Sequence, residues 1–132
     1  MKMYIIKLTL IVVCVNCLIM FSSCMNRCPE LSIAIRNSEC ECGNTELCDS
    51  VHAKFRLRNV SADTIRLMLV PECDCTTLNA DSLVLAPYSH ATICADAKLN
   101  YVGEYVKYIF VQKEDSEFFL TLSIHGNAIS TE

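Results

Sequence analysis

Tryptophan is absent, and glycine, proline and histidine occur only three times each in 132 residues. The missing indole excludes a core in which Trp packs on a disulfide, as in antibody domains. With Gly43, Gly103 and Gly126 as the only glycines, there is no phosphate-cradling loop and no Gly-x-Ser-x-Gly elbow. No His-Glu-x-x-His helix occurs either, so no enzymatic activity is expected. Eleven Lys and Arg stand against fifteen Asp and Glu, with no basic stripe and no aromatic platform. Nucleic-acid binding is therefore not expected. Beyond the N-terminus the chain shows no helical period, internal repeat, low-complexity run or linker.

What is present begins with an export signal. Lys2 and Lys7 precede an uncharged stretch from Leu8 to Phe21, apolar apart from Thr9 and Asn16. Its 14 residues would span about 21 Å as a helix, against roughly 30 Å of hydrocarbon, which suits a signal h-region and not a membrane span. Phe21-Ser22-Ser23-Cys24 then resembles the lipobox of bacterial lipoproteins, with Phe in place of the usual Leu. We expect residues 1–23 to be a helical lipoprotein signal peptide, Cys24 the lipidated residue, 24–30 a tether, and 31–132 one domain. Acyl chains on Cys24 would attach the protein stably to a membrane. No Asp follows Cys24 and no acidic run appears beside it, so the expected place is the outer membrane, facing the periplasm. Without the signal, 109 residues remain with 9 basic groups against 15 acids, enough for one domain.

Period-two alternation dominates that remainder. Val51, Ala53, Phe55 and Leu57 alternate with His52, Lys54, Arg56 and Arg58. Ile65, Leu67 and Leu69 follow a polar turn, and Pro71 ends their run. Further strands are expected at Leu83–Leu85, at Ala91 to Ala97 and from Glu104 to Gln112. A separate final strand after the turn at Lys113 to Ser116 has Phe118, Leu120, Leu122 and Ile124 inward, and Leu31, Ile33 and Ile35 suggest a first strand. About seven short strands at this spacing predict an all-β, immunoglobulin-like sandwich.

Seven cysteines remain past Cys24: Cys28, Cys40, Cys42, Cys48, Cys73, Cys75 and Cys94. Outside the cytoplasm disulfides are the first expectation, and an odd number leaves at least one unpaired within the chain. In an up-and-down run of strands, alternate connections share one end. That places Cys40, Cys42 and Cys48 near Cys73 and Cys75, with His52 and His125 at the same end. A bridge across the two loops is expected over one within a Cys-x-Cys, whose Cβ atoms in an extended strand lie about 6–7 Å apart. The competing reading is a soft-metal site for Zn²⁺ or Cu⁺ built from the same thiolates; otherwise no cofactor is implied. Cys28 and Cys94 have no evident partner.

From Ala53 to Ala128 the order of features resembles a bacterial family, domain of unknown function 1573. The matching stretches are Phe55-Arg56-Leu57-Arg58-Asn59, Pro71-Glu72-Cys73-Asp74-Cys75-Thr76, Ala86-Pro87, Gly103-Glu104-Tyr105-Val106-Lys107 and Ile124-His125-Gly126. Asp74 and Tyr88 stand where that family usually has glycine. The resemblance implies an envelope location and an immunoglobulin-like sandwich, and supplies no reaction, ligand or site residue. The expected function is a membrane-tethered, non-enzymatic module that binds another envelope protein. The alternative is a thiol-based metal-binding or redox accessory protein.

Overall fold

A computed structural model describes residues 26–28 and 32–130. The signal peptide, Cys24 and Leu31 lie outside the described residues. Among the described residues ten strands form two five-stranded sheets: β1 (Asn26–Cys28), β2 (Ile33–Ile35), β3 (Glu39–Glu46), β4 (Ser50–Asn59), β5 (Ile65–Pro71), β6 (Thr76–Leu78), β7 (Ser82–Leu85), β8 (His90–Lys98), β9 (Gly103–Lys113) and β10 (Phe119–Ile129). Sheet A runs β1-β2-β4-β8-β6 and sheet B runs β3-β10-β9-β5-β7. The chain is an all-β, immunoglobulin-like sandwich. Among the described residues no helix is long and apolar enough to cross a membrane.

The seven expected strands are all present, and their alternation fixes the core. On β4, Val51, Ala53, Phe55 and Leu57 are buried while His52, Lys54 and Arg56 are exposed. Ile93, Ala95 and Ala97 of β8, Leu67 and Leu69 of β5, Ile109 and Val111 of β9, and Leu122 and Ile124 of β10 close the same cluster from both sheets. Each large side chain buried this way contributes about 1.5–3 kcal/mol. Lys107 holds an inward phase on β9 but sends its ammonium 5.8 Å from the Tyr101 ring centre.

Three strands go beyond the expectation. Asn26–Cys28, assigned to the tether, pairs with β2. β6 extends the Cys73–Cys75 segment along β8. The Asn37–Ser50 stretch is not a loop: β3 pairs in parallel with β10 and edges sheet B. The chain is also not an up-and-down run, because β2 through β9 alternate between the two sheets. On the last strand, Phe118 precedes β10 and is exposed, while Ser123 is buried although its phase is outward. Its amide donates to the Ser38 carbonyl at 2.9 Å, and its hydroxyl meets His125 Nε2 at 2.8 Å.

Two polar residues fix connections. Asn59 is fully buried at the end of β4. Its amide donates to the carbonyls of Asp63 (2.6 Å), Leu85 (3.1 Å) and Ala86 (3.1 Å), while its Oδ1 accepts from the Ser61 amide (2.9 Å) and hydroxyl (2.7 Å). It thereby clips the β4–β5 turn to the end of β7. Ala86-Pro87-Tyr88-Ser89 closes a turn with Ser89 N donating to Ala86 O at 3.1 Å. Tyr88 sits there at φ 58°, the left-handed conformation that glycine adopts without strain.

Candidate functional site

The cysteines separate into two groups. Cys73 and Cys75 form a disulfide within their own motif, with Cα atoms 5.2 Å apart. This corrects the expected cross-loop bridge: the segment turns between β5 and β6, so its Cα separation falls inside the range a disulfide spans. Cys40 and Cys42 lie instead on β3. Cys40 is level with Ile124 and Ile124 with Lys107, while Glu72 N bonds Tyr108 O. β10 and β9 therefore stand between Cys40 and the Cys73 loop, a Cα separation of about 14 Å at normal strand spacing.

Part of the shared-end placement does hold. Ser50, two residues after Cys48, pairs with Lys98 on one side of β8, and Lys98 N donates to Cys75 O at 2.9 Å on the other. Cys48 is exposed on the β3–β4 turn at φ 74°. The histidines, however, occupy opposite outer faces. His52 on sheet A pairs with Asp96, whereas His125 on sheet B holds Ser123. Each pair is two-thirds of a nucleophile–base–acid array. His52 Nε2 has no hydroxyl bonded to it, and no carboxylate bonds the His125 ring, among the described residues. Cys94, level with Lys54 on β8, has a free thiol.

Cys40 and Cys42 both face inward from β3 and pack against the core. Their sulfurs are 4.0 Å apart. Glu39 and Glu41 take the alternate, exposed positions. Beside the pair, β3 bulges: His125 is level with Glu41 and Asn127 with Asn44, so Cys42 and Gly43 together oppose Gly126. Gly43 holds φ +63° in this bulge. Tyr105, level with Gly126 on β9, lays its ring across the glycine towards β3. It is 3% exposed, and its hydroxyl makes no hydrogen bond, although the Cys42 thiol and Thr45 are its neighbours. Burial, reinforced by Cys40, raises the Cys42 thiol to about 11. Burial also raises the Tyr105 phenol. The described residues gather no cluster of three or more His, Cys, Asp or Glu side chains fit to hold a metal ion. The five-cysteine metal site considered from the sequence is therefore not assembled.

The two outer faces differ in character. Sheet A presents His52, Lys54 and Arg56 of β4 and Thr92, Asp96 and Lys98 of β8 to solvent. Sheet B presents Met68 (48% exposed), Val70 (47%) and Phe119 (57%). Val70 is level with Phe110, and Met68 and Phe119 both with Gln112. Phe110 and Phe119 meet edge to face, 5.7 Å between ring centres, and line a hollow with Val70 and Gln112. Alternation foretold the outward phase of these residues; what the sequence reading passed over is that four of them are apolar and adjoin.

Solved structures with this fold share little sequence with the chain. PapD-like domain 7 of human CEP192 superposes with a TM-score of 0.63 at 14% identity, over 85% of this chain and 95% of that one. A protein of unknown function from Porphyromonas gingivalis W83 gives 0.64 at 7% identity, over 76% of this chain and 49% of that one. The periplasmic chaperone SfaE gives 0.54 at 8% identity, over 76% and 58%. No curated protein matches the chain in sequence. The family model "Protein of unknown function (DUF1573)" matches residues 33–128. The chain belongs to the DUF1573 family.

Proposed function

We propose that this protein is a lipid-anchored, non-catalytic binding module of the cell envelope, docking a partner protein on the outer face of sheet B. The carrying observation is the contiguous apolar surface of Met68, Val70, Phe110 and Phe119 in a chain whose other outer face is charged. Solvated sheet faces normally carry polar side chains, and a contiguous apolar patch marks an interaction surface. The partner that fits is a folded protein with an apolar contact centre. The sandwich is shared with a periplasmic chaperone, which agrees with a binding role; in this reading the lipobox at Cys24 supplies the anchor, and the lack of an Asp or acidic run after Cys24 the outer-membrane address.

A photoreactive phenylalanine analogue at Phe119 should give one discrete crosslinked adduct in intact cells, and Val70→Asp should abolish it. The same probe at Arg56, on the opposite face, should not form it. An adduct indifferent to Val70→Asp, or formed equally from Arg56, would overturn the docking face. Cys24→Ser should leave a full-length precursor without acyl label; a variant still cleaved and membrane-bound would overturn the anchor.

A further inference from the structure

We propose that Cys40 and Cys42 form a site for a soft monovalent cation, Cu⁺, held between their two sulfurs. The site is separate from the sheet B docking face, because both thiols point to the other side of β3. Two sulfurs 4.0 Å apart subtend about 120° at a metal with bonds of about 2.3 Å. That angle suits a cation satisfied by two or three donors. A zinc ion would require four, and the described residues do not assemble them. Paired thiolates without carboxylate or imidazole also select Cu⁺ by softness.

An independent observation comes from Tyr105. Its hydroxyl is buried, unpaired, and placed at the Cys42 thiol. Leaving such a group unsatisfied is unfavourable. A metal-bound thiolate is a stronger acceptor than a thiol, so the hydroxyl is positioned to donate to the Cys42 sulfur once the metal is bound. Gly126 makes this placement possible, since a Cβ there would meet the Tyr105 ring end. Binding is a ligand exchange with no electron transfer: two S–H bonds break, two S–Cu bonds form, and two protons leave to solvent. The complex carries one net negative charge.

The test is anaerobic competition of the full chain against the chromogenic Cu⁺ chelator bicinchoninate. Cys40→Ser and Cys42→Ser should each withdraw one equivalent fewer than the parent, whereas Cys48→Ser and Cys94→Ser should match it. Tyr105→Phe should keep the stoichiometry and weaken affinity about tenfold. Cu K-edge absorption of the loaded parent, which needs no variant to fold, should show sulfur scatterers. Undiminished uptake by Cys40→Ser and Cys42→Ser, equal losses at Cys48, a spectrum with only nitrogen or oxygen neighbours, or a Cys40–Cys42 disulfide in protein isolated anaerobically would overturn the site.

Discussion

Replacing Gly126 with alanine probes the packing that joins β3 to the rest of sheet B. A Cβ at this position would stand 2.6 Å from Cζ of Tyr105 and 2.8 Å from the carbonyl oxygen of Gly43, both well inside van der Waals contact. Gly126 is not in the left-handed region, so the substitution carries no backbone penalty there, and the effect is steric. Neither neighbour can yield cheaply. The Tyr105 ring is enclosed, and Gly43 O belongs to a backbone bulge held at positive φ. Overpacking of this kind costs about 1–3 kcal/mol, and contact on two sides puts Gly126→Ala near the upper end. With a urea m-value of about 1–1.5 kcal/mol/M, the midpoint followed by far-UV circular dichroism should fall by roughly 2 M. Tyr105→Leu removes the phenol end, so the glycine substitution should cost at least about 1 kcal/mol less in that background. A Gly126→Ala protein within about 0.5 kcal/mol of the parent, or strict additivity with Tyr105→Leu, would refute the packing argument.

Asn59→Ala should lose about 2–4 kcal/mol in the same assay, because it strips hydrogen bonds from the buried Leu85 carbonyl and the Ser61 amide and leaves buried carbonyls unpaired. Tyr88→Gly should stabilise by about 0.5–1 kcal/mol: relief of the left-handed strain at φ 58° exceeds the added freedom of the unfolded chain. Cys42 is raised from 9.0 to about 11 by burial and by Cys40, and Tyr105 is raised by burial. Between those values the folded state keeps a proton that the unfolded chain has lost, so stability should fall as pH rises through this window, and less steeply in Cys42→Ala.

The strands with large apolar residues at every second position were legible, since Val51 to Leu57 and Leu67 to Leu69 leave only one way to face a core. β3 was not, and its sequence explains why. Glu39-Cys40-Glu41-Cys42-Gly43-Asn44 is poor in β-formers. Its alternation appears only if the cysteines are counted as core residues, which is how the fold uses them. Read as a loop, that stretch puts its cysteines by strand parity at an end of the sandwich instead of along an edge. Parity also presumed an up-and-down path, whereas this chain changes sheets at nearly every connection, and no local pattern reports that. Cys40 and Cys42 were legible as soft-metal candidates, but their pairing on the inward side of β3, apart from Cys73 and Cys75, was not. The Gly that aligned with Tyr88 was informative in the other direction: the family resemblance expected glycine there, and the structure has a glycine-like backbone.

The disulfide within Cys73-Asp74-Cys75 bears on what the cysteines contribute to stability. It closes a loop with a sequence separation of two, for which the chain-entropy account gives about 1.6 kcal/mol, against about 3–4 kcal/mol for a bridge across 25–35 residues. Among the described residues the buried core drawn from both sheets contains no cysteine; Cys40 and Cys42 only pack against it. Reduction should therefore lower Tm by on the order of 10 °C and leave a cooperative transition with native far-UV dichroism. Peptide mapping of the unreduced chain should recover Cys73 linked to Cys75, with Cys40, Cys42, Cys48 and Cys94 alkylated. If reduction instead unfolds the domain, or a peptide holding Cys40, Cys42 or Cys48 is found joined to one holding Cys73 or Cys75, then cysteines do staple this sandwich across its width. The β3 thiols would in that case be structural and not available to a metal. A modest loss would leave the opposite inference: the core holds the fold, and the β3 thiols are spare for chemistry.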